Sequence, residues 1–200
     1  MQVTEAVRVL CNAVDAHILA KYRGIYGFAG VGGTTPFNTN LSEAINARRE
    51  LARNLCPASP RYVVIDEDAE AKALTLEAVH RADYTGDRQT YVQGFINRVM
   101  GADWHMDHNL PTHTAGTLLN GLSPQTKVAL ATGAHAVGAT SLSADHTTLT
   151  GTVVQGDVLS FAGHSGTYVV TNASPVTASG NAITGVTIDP PLRAGVADNE

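Results

Sequence analysis

The chain has 200 residues, 44% hydrophobic and 16% charged, a balance that excludes a disordered chain and allows one large domain or two small ones. The net charge of −5 gives no electrostatic reason for binding nucleic acid, because no basic stripe is present to displace counterions from phosphates. No apolar run is long enough to span a bilayer, and the opening "MQVTEAVRVLCNAVDAHIL", broken by Glu5 and Asp15, is no signal peptide.

In chain order, Val3, Val7, Leu10, Val14 and Ile18 recur at three- and four-residue steps and predict a first helix with one apolar stripe. Glu5, Arg8, Asp15 and Lys21 lie mostly off that stripe, and Gly24 in Tyr22-Arg23-Gly24 is placed to end the helix. "YGFAGVGGTTPF" reads as a glycine-rich loop. A second helix is expected from about Asn40, with Asn40-x-x-Glu43 at capping-box spacing, a looser stripe of Ile45, Ala52 and Leu55, and a stop at Cys56-Pro57. "RYVVID" (61–66) predicts a short buried strand. Asp66 is then positioned to cap a third helix through "EAKALTLEAVHRA", with Glu67 and Asp68 at its positive end. Tyr84-Thr85-Gly86-Asp87 is a predicted turn. "RQTYVQGFINRVMGADWHMDHNLP" predicts a short helix running into a strand that packs Trp104 and Met106 on one face.

Near residue 118 the composition changes to Thr, Val, Gly, Ala and Ser with few charges. "TKVALAT", "ATSLSAD", "DVLSFAG", "GTYVVTNA" and "GVTIDP" read as short strands separated by turn residues, which suggests a small barrel or sandwich. The expected division is residues 1–117 and 118–200, with first proteolysis between Thr114 and Thr126.

The most chemical stretch is "ADWHMDHNLPTHTAG" (102–116), with His105, Asp107, His108 and His113. On a strand, His105 and Asp107 share one face and His108 lies on the other, while His113 follows Pro111 on a loop, so the spacing argues against a metal site. A metal-dependent hydrolase built on these four residues is the competing class of function. "GFAGVGGTTP" lacks the Gly-Lys-Ser/Thr of a phosphate loop, and Thr35 stands where a dinucleotide fingerprint has its third glycine. "GHSGT" (163–167) misses the nucleophile elbow because Thr167 replaces the last glycine, and a hairpin loop is expected instead. Cys11 and Cys56 fit no zinc knuckle and read as two free thiols. Asn40-Leu-Ser42 and Asn172-Ala-Ser174 match glycosylation sequons. No catalytic residue, cofactor or metal ligand is assigned by the residues, which points to a structural or binding protein.

The order of these pieces resembles the central part of a tailed-phage major capsid protein of the HK97-like fold, and more closely the P-twenty-two-type coat family with an inserted β-domain. "EAVRVLCNAVDAHILAKY" is similar to that family's spine helix, and "GVGGTTPF" to the loop after it. "LSEAINARRELARNLCP…RYVVIDEDAEAKAL" is similar to the helix, strand and helix that follow. "FINRVMGADWHMDHNLPTHTAG" carries the glycine, the helix-to-strand passage, an aromatic near Trp104 and the Asn109-Leu-Pro111 ending. "VVQGDVLSFAG…TYVVT…VTIDPPL" is similar to the inserted domain, with its Gly-Asp turn before an apolar strand. The resemblance implies an α+β fold: an HK97-like capsid core over 1–117 and an inserted, barrel-like β-domain over 118–200. It implies a non-enzymatic coat subunit that assembles in the host cytoplasm and resides in the virion. The implied partners are copies of itself in hexamers and pentamers, with scaffolding and portal proteins, and no specific nucleic acid or membrane. The histidines of 105–113 are then incidental to catalysis. A free-standing β-rich virion binding module is a third class. Family members continue beyond both ends of this stretch, so the chain is expected to be a central piece whose first helix lacks partners and lowers its stability.

Overall fold

The computed structural model of the chain describes residues 2–81, 92–94, 96–118, 135–146, 148–161 and 163–196. The fold is mixed α+β, and its contacts divide it into two units. Residues 1–19 and 28–111 form the first, and residues 20–27 and 112–200 form the second. The expected turn at 84–87 and the strand "TKVALAT" lie outside the described residues, as do residues 119–126 of the segment between Thr114 and Thr126 expected to be protease-sensitive.

In the first unit, helix α1 spans Gln2–Leu19, as the three- and four-residue spacing dictates. Its stripe is not buried. Val3, Val7, Leu10, Val14 and Ile18 are each more than half exposed, from 51% at Val14 to 77% at Val3, so the period fixed the helix but not a partner for its apolar face. Helix α2 spans Ser42–Arg53 and also buries no residue. The expected capping box does not form: Leu41 occupies the cap without a side-chain bond, while Asn40 Oδ1 accepts from the Ser42 amide at 2.8 Å. Asn40 therefore makes a local turn one residue too early to serve as the cap. The stripe of Ile45, Ala52 and Leu55 is exposed as well.

Strand β1 (Tyr62–Ile65) is the edge of a three-stranded sheet rather than a buried strand, with Tyr62 and Val64 exposed and Ile65 buried. It pairs in parallel with β3 (Ala102–Met106), which pairs antiparallel with β2 (Arg98–Val99). Arg98-Val99 is thus the first arm of a hairpin turned by Met100-Gly101; the short helix expected before it lies largely outside the described residues, with Val92-Gln93 helical. Between β1 and β3, helix α3 (Glu67–Leu74) is capped as its sequence predicts: Asp66 accepts from the Ala69 amide at 2.9 Å. The helix does not run on to Ala82. It breaks at Thr75-Leu76 and resumes as the short α4 (Glu77–His80). Ala69 and Ala73 of α3 are buried with Val79 of α4, and they share a core with Phe37, Leu41, Ile65, Ile96 and Trp104.

The second unit is β-rich. Strands β4 (Ser141–Asp145), β9 (Ala182–Asp189), β7 (Tyr168–Val170) and β6 (Val158–Leu159) form one antiparallel sheet in that order. Two short strands not expected from the sequence, β5 (Thr152–Val153) and β8 (Val176–Thr177), pair as a ribbon. The pairing of β6 with β7 makes "GHSGT" part of a hairpin connection, as its flanking strands implied. Leu142, Leu149, Val153, Tyr168, Val170, Ile183, Val186, Ile188, Leu192 and Val196 fill the core, and all three residues of β7 are completely buried.

Residues 116–117 run against 151–152 at a distance only glycine permits. A Cβ on Gly116 would lie 2.3 Å from the Thr152 carbonyl oxygen, and one on Gly151 would lie 2.1 Å from that of Thr117. Gly116→Ala is therefore expected to cost about 1–3 kcal/mol, because backbone must move to admit the methyl group. Gly32→Ala, which meets nothing within 4 Å, is expected to stay within about 0.5 kcal/mol. Urea unfolding followed by far-ultraviolet circular dichroism measures both.

Candidate functional site

The histidine-rich stretch is divided between the units. His105 lies on the exposed side of β3, its ring tilted against Tyr62 at 6.1 Å between centroids. Trp104, on the opposite face, is buried and donates its indole N–H to the Val99 carbonyl at 3.0 Å. Met106 does not join it in the core as expected; it is the last residue of β3 and is 39% exposed. Asp107 falls just past the strand, so the shared face with His105 is lost. Its carboxylate accepts from the Asn109 amide at 2.8 Å instead. His108 is exposed, 3.8 Å from the Glu67 carboxylate. His113 belongs to the second unit. Among the described residues, no three His, Cys, Asp or Glu side chains are placed to hold a metal ion. Cys11 and Cys56 are free and exposed.

His113 is the one histidine of the four in an organised polar array. Tyr22, in a 3-10 helix over Ala20–Gly24, has its hydroxyl 3.0 Å from His113 Nδ1. His113 Nε2 lies 2.9 Å from Asp157 Oδ1. The Asp157 carboxylate also accepts from the Val154 amide at 2.9 Å and from the Gly116 amide at 3.2 Å. The side chains of His113 and Asp157 are only 27% and 13% exposed. A phenol bonded to an imidazole, itself bonded to a carboxylate, is the connectivity of a proton relay. Here every member is also tied to chain: the carboxylate closes the 154–157 turn and pins 116, and the imidazole reaches the 3-10 helix. The arrangement acts as a structural tie between three stretches of sequence. Tyr22 and Asp157 carry no local signal of this role, because they lie 91 and 44 residues from His113.

A second polar cluster sits at the β6–β7 connection. The completely buried Tyr168 places its hydroxyl 2.7 Å from His164 Nδ1 and accepts from the Arg193 amide at 3.2 Å. The Arg193 guanidinium donates to the Ser165 carbonyl at 3.1 Å and lies over the Tyr26 ring. Asn172, in the second sequon, bridges to β9: its amide donates to the Gly185 carbonyl at 2.9 Å and its oxygen accepts from the Thr187 amide at 2.7 Å.

In the first unit, a cavity of about 300 Å³ lies between α2 and the sheet, lined by Phe37, Ala44, Leu51, Val63 and Met100 with Arg48 at its wall. Arg48 donates to the Met100 carbonyl at 3.1 Å. With the exposed stripe of α1, this leaves two apolar surfaces on one unit.

No protein-family model matches the chain, and no curated protein matches it. Among the described residues, no helix is long and apolar enough to cross a membrane.

Removing the central carboxylate strands two backbone amides and a histidine. Asp157→Ala is expected to cost about 2–3 kcal/mol, since each buried group left unpaired carries a desolvation penalty. Among the described residues, Asp103→Ala breaks an exposed pair with Arg98 at 3.7 Å and is expected to cost less than about 1 kcal/mol. The difference is read by chemical denaturation of the two variants beside the parent chain.

Proposed function

We propose that the chain is a structural coat subunit of a tailed bacteriophage, self-assembling into the icosahedral shell around the genome. In this reading the first unit supplies elements of an HK97-like capsid core, and residues 118–200 are an inserted β-domain. Its partners are copies of itself in hexamers and pentamers, together with scaffolding and portal proteins. It works in the virion and has no catalytic role. The ordered series of sequence resemblances from "EAVRVLCNAVDAHILAKY" to "VTIDPPL" supports the family.

The observation that carries the reading is the exposed stripe of α1. Five apolar side chains on one face of an 18-residue helix stand more than half in solvent. The helix is about 27 Å long at its usual rise. A contiguous apolar surface of this kind marks a place where other protein packs. Repeated many times over a lattice, weak contacts of one type sum to a stable shell.

The test is sedimentation velocity and negative-stain microscopy of the purified chain beside Leu10→Glu/Val14→Glu. The parent chain is expected to form assemblies of many copies. The double variant is expected to remain monomeric with stability within about 0.5 kcal/mol per site, because both positions are solvent-exposed and Glu is a good helix former. A parent chain that stays monomeric at every concentration overturns the proposal.

A further inference from the structure

Residues 20–27 are attached at the surface of the second unit. None of them is buried, and Ile25 is 59% exposed. Yet the 3-10 helix lies beside β7, whose three residues are completely buried. The segment is held at its two aromatic residues. Tyr22 bonds His113 at 3.0 Å, and the carbonyl of Tyr26 accepts from the Thr167 hydroxyl while its ring carries the Arg193 guanidinium at 5.3 Å. Close to Tyr22, Gly156 leaves room for both Arg23 and His113: a Cβ there would lie 3.2 Å from Arg23 Cγ and 3.1 Å from His113 Cε1. These attachments are polar, partly solvated and exchangeable for water. The sheet beneath is held by apolar burial, which is not.

We infer that residues 20–27 are a releasable strap, latched to the second unit through His113 and able to detach while the β4-β9-β7-β6 sheet stays folded. Asp157 sets the latch. It holds His113 from the Nε2 side with the ring edge turned to Tyr22, and it is itself fixed by the Val154 and Gly116 amides, so the receiving half persists when the strap leaves. Release frees the Tyr22 phenol on the strap and bares His113, Thr167 and Arg193 on the unit. The device is independent of the coat-subunit reading.

Hydrogen exchange on the full chain tests it, comparing a peptide covering 20–27 with one covering β9. The reporter in the strap is the Ile25 amide, bonded to the Tyr22 carbonyl at 2.9 Å. Tyr22→Phe keeps the ring and removes only the latch hydroxyl, and His113→Ala removes the receiving group. In the parent chain the strap is expected to exchange faster than β9. In both variants it is expected to exchange up to about tenfold faster again, the change that loss of one hydrogen bond of roughly 1.4 kcal/mol produces, with β9 unchanged. Three results overturn the inference: a strap as protected as β9 in the parent chain, strap and β9 accelerated together, or a strap indifferent to both substitutions. If His113→Ala fails to fold, Tyr22→Phe alone decides between these outcomes.

Discussion

The second unit is organised around one carboxylate. Asp157 precedes β6, and its oxygens collect the Val154 amide, the Gly116 amide and the His113 ring. A partly buried carboxylate is costly unless its lone pairs are used, and the amides and the imidazole use them. The consequence for the chain is positional. The 154–157 turn is closed, residues 113–116 are drawn beside 151–152, and through His113 the 20–27 segment is brought to the same corner. Glycines at 116 and 151 make that approach sterically possible. Polar fixing at the corner complements the apolar core under it, where Tyr168, Val169 and Val170 are fully buried and the Tyr168 hydroxyl is still provided with partners.

The first unit solves its packing differently. Its core takes in the small, buried Ala69 and Ala73 of α3 together with Trp104, tilted against Phe37 at 5.2 Å between centroids. Neither α1 nor α2 contributes a fully buried side chain among the described residues. The unit thus keeps a small internal core and carries much of its apolar surface outside. Single exposed apolar residues are ordinary in any protein, but a stripe repeated over an entire helix is not. That contrast is why the helix, rather than any polar cluster, carries the functional reading.

What was legible in the sequence was local. The period of Val3 to Ile18 specified α1, Asp66 specified the start of α3, and the alternation of turn residues with β-branched runs specified β4, β6, β7 and β9. Each of these depends on interactions within a few residues. Illegible were the outcomes that depend on a partner distant in the chain. Periodicity gave α1 an apolar face without saying whether anything covers it. "RYVVID" has the composition of a buried strand, but burial depends on what covers its faces, and β1 lies at a sheet edge among the described residues with Tyr62 and Val64 exposed. Asn40 and Glu43 have capping-box spacing, yet the helix begins two residues after Asn40 because the Asn40 side chain closes its own turn first.

The histidine-rich stretch shows how far spacing alone can decide chemistry. His105, Asp107, His108 and His113 are similar in type and close in sequence, and the chain puts them to different uses. Which use each receives follows from where the backbone changes state. While β3 lasts, successive residues alternate, so Trp104 goes inward and His105 outward. Past the end of the strand at Met106 the Asp107 amide still donates to the Ile65 carbonyl at 3.0 Å, while its carboxylate turns to the Asn109 amide. Beyond Pro111 the chain joins the second unit, and His113 finds a carboxylate and a phenol contributed by segments far away in sequence. A cluster in sequence becomes a cluster in space only if the backbone keeps one geometry across it. Here the geometry changes twice, and the polar groups that do converge, Tyr22, His113 and Asp157, come from three separate stretches of the sequence.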